Sequence, residues 1–252
     1  MARSPWFWLV LILIATGVAL SAVLGAVYWL LAALAAAVAG FTLTYLIAAY
    51  AIGRPPHPQI APLQGFPSSE RIPVAFDGDI TMGHLFREVD DGLVLLYLLG
   101  EPRVELLAVT CTYGNGPVDT TTRTTRRLLA EVGQSHVSVW PGASGPDQDA
   151  ETNQAAQHLV EIARGRQGEL SLVATGSMTN LRHAAALDPE FFHNLQGLYL
   201  MGGVCGTLGW NGRRLAELNF SLDPEAAYQA VRADCPVTIA PGEAGLSAGF
   251  CA

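Results

Sequence analysis

Two apolar segments of this chain end in residues that could carry chemistry. Asp77 and Asp79 end the segment IPVAFDGD, and Asp90 and Asp91 follow after ten intervening residues. Asn115 ends the next apolar segment, VELLAVTCTYGN. Burying several carboxylates at the end of a strand costs free energy unless a cation or a polar ligand is bound there. Oxygen donors without a Cys or His cluster favour a hard cation, and a loose set of carboxylates and carbonyls favours Ca²⁺.

A simpler interpretation applies to Asp90 and Asp91 alone. Acidic residues at the start of a helix interact favourably with the helix dipole, so both could belong to a helix N-terminus. Asp77 and Asp79 do not fit this explanation, because they follow a predicted strand. The four carboxylates together therefore predict a cation site.

Short β-rich segments alternate with helical patterns from residue 72 onward. The predicted strands are, in order, IPVAF, VELLAVTCT, HVSVW, ELSLVAT, LQGLYLM and PVTIA. Regular alternation predicts an α/β fold with a mostly parallel sheet and crossover helices. Ligands bind beyond the carboxyl ends of such strands. Thr175 and residues 201–219 follow two of these strands, so we expect them to lie at the same edge as the aspartates.

Two Asp-Pro-Glu sequences are typical of helix starts. Asp188 and Asp223 each precede a proline and a glutamate, which is the usual order of N-cap, first residue and first turn. We therefore interpret both as helix initiation and not as part of an active site.

From residue 72 to the last residue, the motifs resemble the inosine-uridine-preferring nucleoside hydrolases. The fingerprint of that family at the first strand is D-x-D-x-x-x-D-D, and the further matches in order are VTCTYGN, VATGSMTNL, LYLMGG and AELNFSLDPEAA. The resemblance implies a nucleoside-hydrolase-like domain that hydrolyses the N-glycosidic bond of ribonucleosides to base and ribose. It also implies a Ca²⁺ ion that activates the attacking water.

The same resemblance implies a role for each matching residue. Asp79 and Asp91 would hold Ca²⁺ with the backbone carbonyl of Thr175, and Asp79 would take a proton from the attacking water. Asp77 would be a supporting carboxylate. The residues implied to surround the sugar are Asp90, Asn115, Met201, Asn211, Glu217 and Asn219. Carboxylates there would stabilise an oxocarbenium-like transition state.

The chain departs from the family pattern at two places. Residues 80–89 separate the second and third aspartates, where the family has three residues. The family also continues past the strand matched by PVTIA and adds a further aspartate, often beside a histidine. No such late pair occurs before Ala252, so we expect the domain at 72–252 to be incomplete, completed by a partner, or reduced to binding. The alternative function is a non-catalytic, membrane-tethered nucleoside- or ribose-binding protein.

The N-terminal fifth of the chain is a predicted membrane segment. Residues 5–53 contain no Asp, Glu, Lys, Arg or His, enough for two transmembrane helices within 1–53. Arg3 and Arg54 flank this segment and predict that both ends, and the domain, are cytoplasmic. In the alternative, the first apolar stretch is a signal peptide cleaved after ALSA, which leaves one anchor and an exported domain. Residues 54–71 contain five prolines and are a predicted linker.

The net charge of the chain argues against one class of binding partner. The net charge is −8 and no basic run occurs, so nucleic acid is not an expected partner. We expect a ribonucleoside substrate and a membrane contact through the N-terminal segment, and the sequence leaves a homo-oligomer open.

Overall fold

A computed structural model of the chain describes residues 71–85, 87, 89–210 and 213–246. The predicted membrane segment and all but the last residue of the predicted linker lie outside these residues. Among the residues that are described, no helix is both long and apolar enough to cross a membrane.

Strands and helices alternate along the described chain. The strands are β1 (Ile72–Gly78), β2 (Val104–Cys111), β3 (Val139–Pro141), β4 (Leu170–Ala174), β5 (Leu195–Met201), β6 (Gly209–Trp210), β7 (Arg213–Arg214) and β8 (Val237–Ala240). The α-helices are α1 (Asp90–Gly100), α2 (Val118–Glu131), α3 (Gln154–Gly165), α4 (Thr179–Leu187), α5 (Asn219–Leu222), α6 (Pro224–Val231) and α7 (Gly242–Leu246).

Six of the strands form one parallel sheet in the order β3-β2-β1-β4-β5-β8, while β6 and β7 form an antiparallel pair. The α/β prediction is therefore confirmed. The chain fills one side of β1 with β2 and β3, then returns to its other side with β4. This reversal of direction between β1 and β4 is the point at which open α/β sheets bind ligands.

The central strands are apolar because helices cover both faces of the sheet there. Successive side chains of a strand point to opposite faces, so neighbouring residues of β1 enter different cores. Phe76 packs with Leu95 and Leu129, from α1 and α2. Ala75 belongs to the second core, which includes Leu159 of α3. Two buried cores thus hold β1 in the centre and position the residues at its carboxyl end.

The two Asp-Pro-Glu sequences behave differently. Asp223 accepts a hydrogen bond from the Ala226 backbone N–H at 3.0 Å and caps α6, so that prediction is confirmed. The prediction for Asp188 is wrong, because residues 189–194 form turns between α4 and β5. Asp188 still caps the first of these turns, because its Oδ1 accepts the Glu190 backbone N–H at 3.1 Å, while its Oδ2 accepts a hydrogen bond from Arg164 Nε at 2.7 Å.

Asp223 also joins α6 to α4. Its Oδ2 accepts a hydrogen bond from Thr179 Oγ1 at 2.8 Å and lies 3.0 Å from Arg182 Nη2. We expect Asp223→Ala to lower the free energy of unfolding by about 2–4 kcal/mol, because it removes a helix cap, the hydrogen bond from buried Thr179 and the ion pair with Arg182. Urea denaturation measures this. Asp234→Ala is the control, since that carboxylate is 90% exposed. A loss below about 1 kcal/mol for Asp223→Ala would contradict the assigned role.

Candidate functional site

Asp77 lies fully buried near the end of β1, with β2 and β4 on either side. Its Oδ1 accepts hydrogen bonds from Thr110 Oγ1 at 2.6 Å and from Asn180 Nδ2 at 2.7 Å. Its Oδ2 has no hydrogen-bond partner among the described residues. Burial raises the pKa of Asp77 to about 7, although the two hydrogen bonds oppose this rise. Two hydrogen bonds to Oδ1 therefore fix the orientation of the Asp77 carboxyl group, while Oδ2 makes none.

Asp79 and Asp91 are brought together by Asn115. The Asn115 backbone N–H donates to Asp79 Oδ2, and its Nδ2 donates to Asp91 Oδ2 at 3.3 Å. All three residues are buried. Asp79 follows the end of β1, Asp91 lies in the first turn of α1, and Asn115 follows β2, so three elements converge here. The insertion at residues 80–89 does not separate the aspartates.

The two carboxyl groups act on each other in opposite directions: Asp91 lies close enough to lower the pKa of Asp79, whereas Asp79 raises the pKa of Asp91. Burial raises the pKa of Asp79 and, more strongly, that of Asp91, and the charge of Asp79 raises the pKa of Asp91 further. Asp79 Oδ1 and Asp91 Oδ1 are buried and have no hydrogen-bond partner among the described residues. The Thr175 hydroxyl lies close enough to lower the pKa of Asp91, yet it also lacks a partner within hydrogen-bonding geometry. A cation would satisfy these oxygens.

Their place at the start of a helix does not explain where the side chains of Asp90 and Asp91 lie. The N-cap position of α1 is Val89, and no side chain caps the helix there. Both aspartates lie in the first turn, where their charge favours the dipole. However, Asp91 is directed to Asn115, and Asp90 Oδ1 is buried without a partner in the described chain. Their side chains are thus placed for another role.

The oxygen donors fit a hard cation, with an incomplete set of protein ligands. No three His, Cys, Asp or Glu side chains within the described ranges are arranged to enclose a metal ion. The ligands that the resemblance implies, Asp79, Asp91 and the Thr175 carbonyl, would supply three oxygens, whereas Ca²⁺ takes 6–8. The unpartnered carboxylate oxygens still favour a cation, because buried acceptors without partners cost about 1–3 kcal/mol each. Water and sugar hydroxyls would complete the shell.

The predicted sugar-binding residues after β5 contact the protein itself. Asn219 Nδ2 donates to the carbonyls of Thr175 at 2.7 Å and Met201 at 3.0 Å, which joins the ends of β4 and β5. The Thr175 carbonyl retains a second lone pair for another donor or a cation. Glu217 accepts the Phe220 backbone N–H at 3.1 Å and so holds the start of α5. Asn211 lies outside the described residues.

Residues 80–84 of the insertion pack against the first core and α2. Ile80 is buried in the core that contains Phe76. Arg127 Nη2 donates to the Met82 carbonyl at 3.1 Å, and His84 Nε2 is hydrogen-bonded to Thr124 Oγ1 at 3.0 Å. The added residues are thus anchored on a helix beside the site, which explains how Asp79 and Asp91 can still meet.

Sequence reasoning missed Asn180 and Thr110, the two donors to Asp77. Both are fully buried. Asn180 stands within the motif VATGSMTNL, and Thr110 lies near the end of β2. Thr110 was detectable as a polar residue near the end of an apolar strand, whereas Asn180 lies near the start of a helix and its partner Asp77 is distant in sequence.

Gly114 provides space for the Asp79 carboxylate. Its φ is +152°, and a Cβ at this position would collide with Asp79 Oδ2. We expect Gly114→Ala to weaken Ca²⁺ binding about 10-fold or more, because it displaces a proposed ligand. Titration calorimetry measures the change. Gly133→Ala is the matched control: Gly133 has a φ of +76° with no atom near its Cβ position, so only backbone strain is added. Equal Ca²⁺ affinity in both variants would contradict the prediction.

The sequence model of the inosine-uridine preferring nucleoside hydrolases matches residues 74–248. The chain belongs to this family. The family assignment agrees with the position of the aspartates at the reversal point of the sheet.

Similar proteins differ in the base that their names specify. The pyrimidine-specific ribonucleoside hydrolase RihA of Citrobacter koseri is 28% identical over 194 residues, covering 67% of this chain and 59% of that protein. The probable uridine nucleosidase 2 of Arabidopsis thaliana is 30% identical over 166 residues, covering 55% and 51%. The solved purine-preferring ribonucleoside hydrolase from Gardnerella vaginalis has a TM-score of 0.57 and 27% identity, covering 67% and 60%. The chain therefore spans between about half and three-fifths of the length of these relatives.

Proposed function

We propose that this chain hydrolyses the N-glycosidic bond of ribonucleosides to base and ribose. The observation that carries the proposal is the pair of buried carboxyl groups, Asp79 and Asp91, which Asn115 joins at the reversal point of the sheet. Each retains one buried oxygen without a partner in the described chain. The family assignment and the names of the relatives support the same reaction.

Asp79 is the proposed general base. Burial raises the pKa of Asp79 above its ordinary value, and a carboxylate with a raised pKa is a stronger proton acceptor. The Asn115 N–H holds Asp79 Oδ2, which leaves Oδ1 to face a water molecule. The proposed metal ligands are Asp79, Asp91 and the Thr175 carbonyl. Ca²⁺ held by them would lower the pKa of the attacking water.

Negative charge at this edge also suits the sugar. Cleavage of the glycosidic bond develops positive charge on the ribosyl ring, and fixed carboxylates stabilise such a transition state. Asp90 is the proposed contact to a ribose hydroxyl, since its Oδ1 is buried without a partner among the residues described. Asp77 is proposed to hold the end of β1, and thereby Asp79, in position. The sugar-binding roles of Asn115, Met201, Asn211, Glu217 and Asn219 stay predictions.

A second candidate is a non-catalytic protein that binds ribonucleosides or ribose. It is favoured by one observation: the described residues contain no set of three acidic, His or Cys side chains arranged around a metal. Such a site would bind Ca²⁺ weakly and would retain the sugar contacts without efficient water activation. Both candidates bind the same nucleoside, so turnover is the property that separates them.

Ribose release separates these candidates. The 252-residue chain is incubated with inosine or uridine in CaCl₂ or in EDTA, and binding of each nucleoside is measured in parallel by calorimetry. Ca²⁺-dependent ribose release that Asp79→Asn reduces by about 10²–10⁴-fold would support the enzyme. Asp147→Asn, at an exposed loop position, serves as the control. Binding without release would support the second candidate, and neither binding nor release would contradict both.

Membrane anchoring by residues 1–53 with a cytoplasmic domain is a separate proposal. Its support is the uncharged run at 5–53 and the flanking Arg3 and Arg54. Reporter fusions at residue 60 would test it, and a reporter active only outside the cytoplasm would contradict the cytoplasmic orientation.

A further inference from the structure

Asn180 is a fully buried asparagine near the start of α4. Both the Nδ2 donor and the Oδ1 acceptor of its side-chain amide are fully hydrogen-bonded. Its Nδ2 donates to Asp77 Oδ1 at 2.7 Å and to the Cys111 carbonyl at 3.1 Å. Its Oδ1 accepts from the Ala143 N–H at 2.8 Å and from Asn153 Nδ2 at 2.9 Å. One side chain therefore makes four hydrogen bonds to four separate parts of the chain.

Three of these partners lie around the carboxyl ends of three neighbouring strands, and the fourth, Asn153, directly precedes α3. Asp77 belongs to β1, Cys111 is the last residue of β2, and Ala143 follows β3. Only an amide side chain combines two donors with an acceptor that takes two bonds in one plane. Gly142 accommodates it, because a Cβ there would collide with both atoms of the Asn180 amide group. The local backbone is thus shaped around this asparagine.

Asp77 links Asn180 to the candidate metal ligands Asp79 and Thr175. The backbone carbonyl of Asp77 accepts the Thr175 N–H at 2.8 Å, and Asp79 follows two residues later. A shift of the Asp77 carboxylate would therefore displace the end of β1, and with it Asp79 and Thr175. Neither of these residues contacts Asn180 through a hydrogen bond within the described part of the chain.

We propose that Asn180 is a positioning residue that orients Asp77 and, through the end of β1, sets the geometry of the Ca²⁺ site. The effect on Ca²⁺ rests on the proposed function. The coupling between Asn180 and Asp77 does not, because it follows from their hydrogen bond alone.

The test exchanges the two side chains. Asn180→Asp keeps the shape of the residue but places oxygen atoms against Asp77 Oδ1 and the Cys111 carbonyl. We expect it to lower the midpoint of thermal unfolding by roughly 5 °C or more and to weaken Ca²⁺ binding roughly 10–100-fold. Adding Asp77→Asn supplies a donor opposite the carboxylate introduced at position 180 but none for the Cys111 carbonyl, so the double variant should recover part of both losses, beyond the sum of the effects of the two single variants. Calorimetry with CaCl₂ and thermal unfolding in EDTA provide the two measurements.

Asn194→Asp is the matched control, because Asn194 is also buried but precedes β5 and, within the described residues, its backbone bonds go to Gly168 and Glu190 and not to the site residues named above. It should leave the Ca²⁺ affinity within about threefold of the wild type, whatever its effect on stability. Leu159→Ala, in the core under α3, is a second control that lowers stability without reaching the site.

Each outcome decides the proposal. If the wild-type chain binds no Ca²⁺, the proposed function fails, while the unfolding midpoints still report the coupling of Asn180 with Asp77. Strictly additive losses in the double variant, or unchanged affinity and midpoint in Asn180→Asp, would overturn the positioning role. If Asn180→Asp does not fold, a folded double variant supports the proposal and an unfolded one overturns it.

Discussion

Calcium chloride should raise the midpoint of thermal unfolding by about 5–10 °C at 100 times its dissociation constant, because a ligand at that concentration contributes about 2.7 kcal/mol. The physical basis is the pair Asp79 and Asp91: each has one buried oxygen without a partner in the described chain, and the charge of Asp79 disfavours ionisation of Asp91. A bound cation would remove this repulsion. Mg²⁺ should give a smaller shift, because it prefers a tighter octahedral shell than loosely arranged carboxylates provide.

Two isosteric variants test this expectation. Asp79→Asn and Asp91→Asn should each abolish the shift, because each removes one of the two negative ligands while retaining an oxygen for the bond from Asn115. In EDTA both variants should be at least as stable as the wild type, since the repulsion is removed. Asp147→Asn should keep the full shift. A shift that survives in both site variants would place the Ca²⁺ elsewhere.

The free energy of unfolding of the Ca²⁺-free protein should fall as the pH rises from about 4 to about 7, because the buried Asp77 carboxyl group must then ionise. Its pKa is raised from 3.8 to about 7, chiefly by burial, so the folded state binds a proton that the unfolded state releases. The favourable contribution is complete below pH 3.8 and is lost as the pH passes through 7. The raised pKa values of Asp79 and Asp91 act in the same direction.

Asp77→Asn isolates the contribution of this one group. An asparagine can keep its Oδ1 on Thr110 and Asn180 and place its amide where Oδ2 has no partner. We expect the variant to be more stable than the wild type by about 2–4 kcal/mol at pH 8 in EDTA, with little difference at pH 4. Urea denaturation at several pH values measures the difference between the two proteins.

The comparison between Asp77→Asn and the wild type is needed because other groups change the free energy of unfolding in the opposite direction with pH. The pKa of Asp188 is lowered by its hydrogen bond with Arg164, so its contribution is lost as the pH falls. Asp147→Asn controls for the loss of an exposed carboxylate. A difference between Asp77→Asn and the wild type that does not change with pH would contradict the assignment.

The sequence by itself determined the class of fold and the position of the candidate site along the chain. Alternating apolar segments and helical patterns report local backbone geometry, which is why the strands and the parallel sheet were predictable. Asp77 and Asp79 were recognisable because carboxylates are unusual at the end of an apolar strand. Asp223 was read correctly as a helix start, since its capping bond reaches only three residues along the chain.

Contacts between distant residues required the tertiary structure. The strand order puts β4 beside β1, and therefore Asn180 beside Asp77, across 103 residues of sequence. Asp188 has the same local pattern as Asp223 but pairs with Arg164 of another helix. Asn219 likewise joins two strand ends that no local pattern links. Local periodicity records which face of an element is apolar, whereas the pairing of buried polar groups depends on which elements become neighbours.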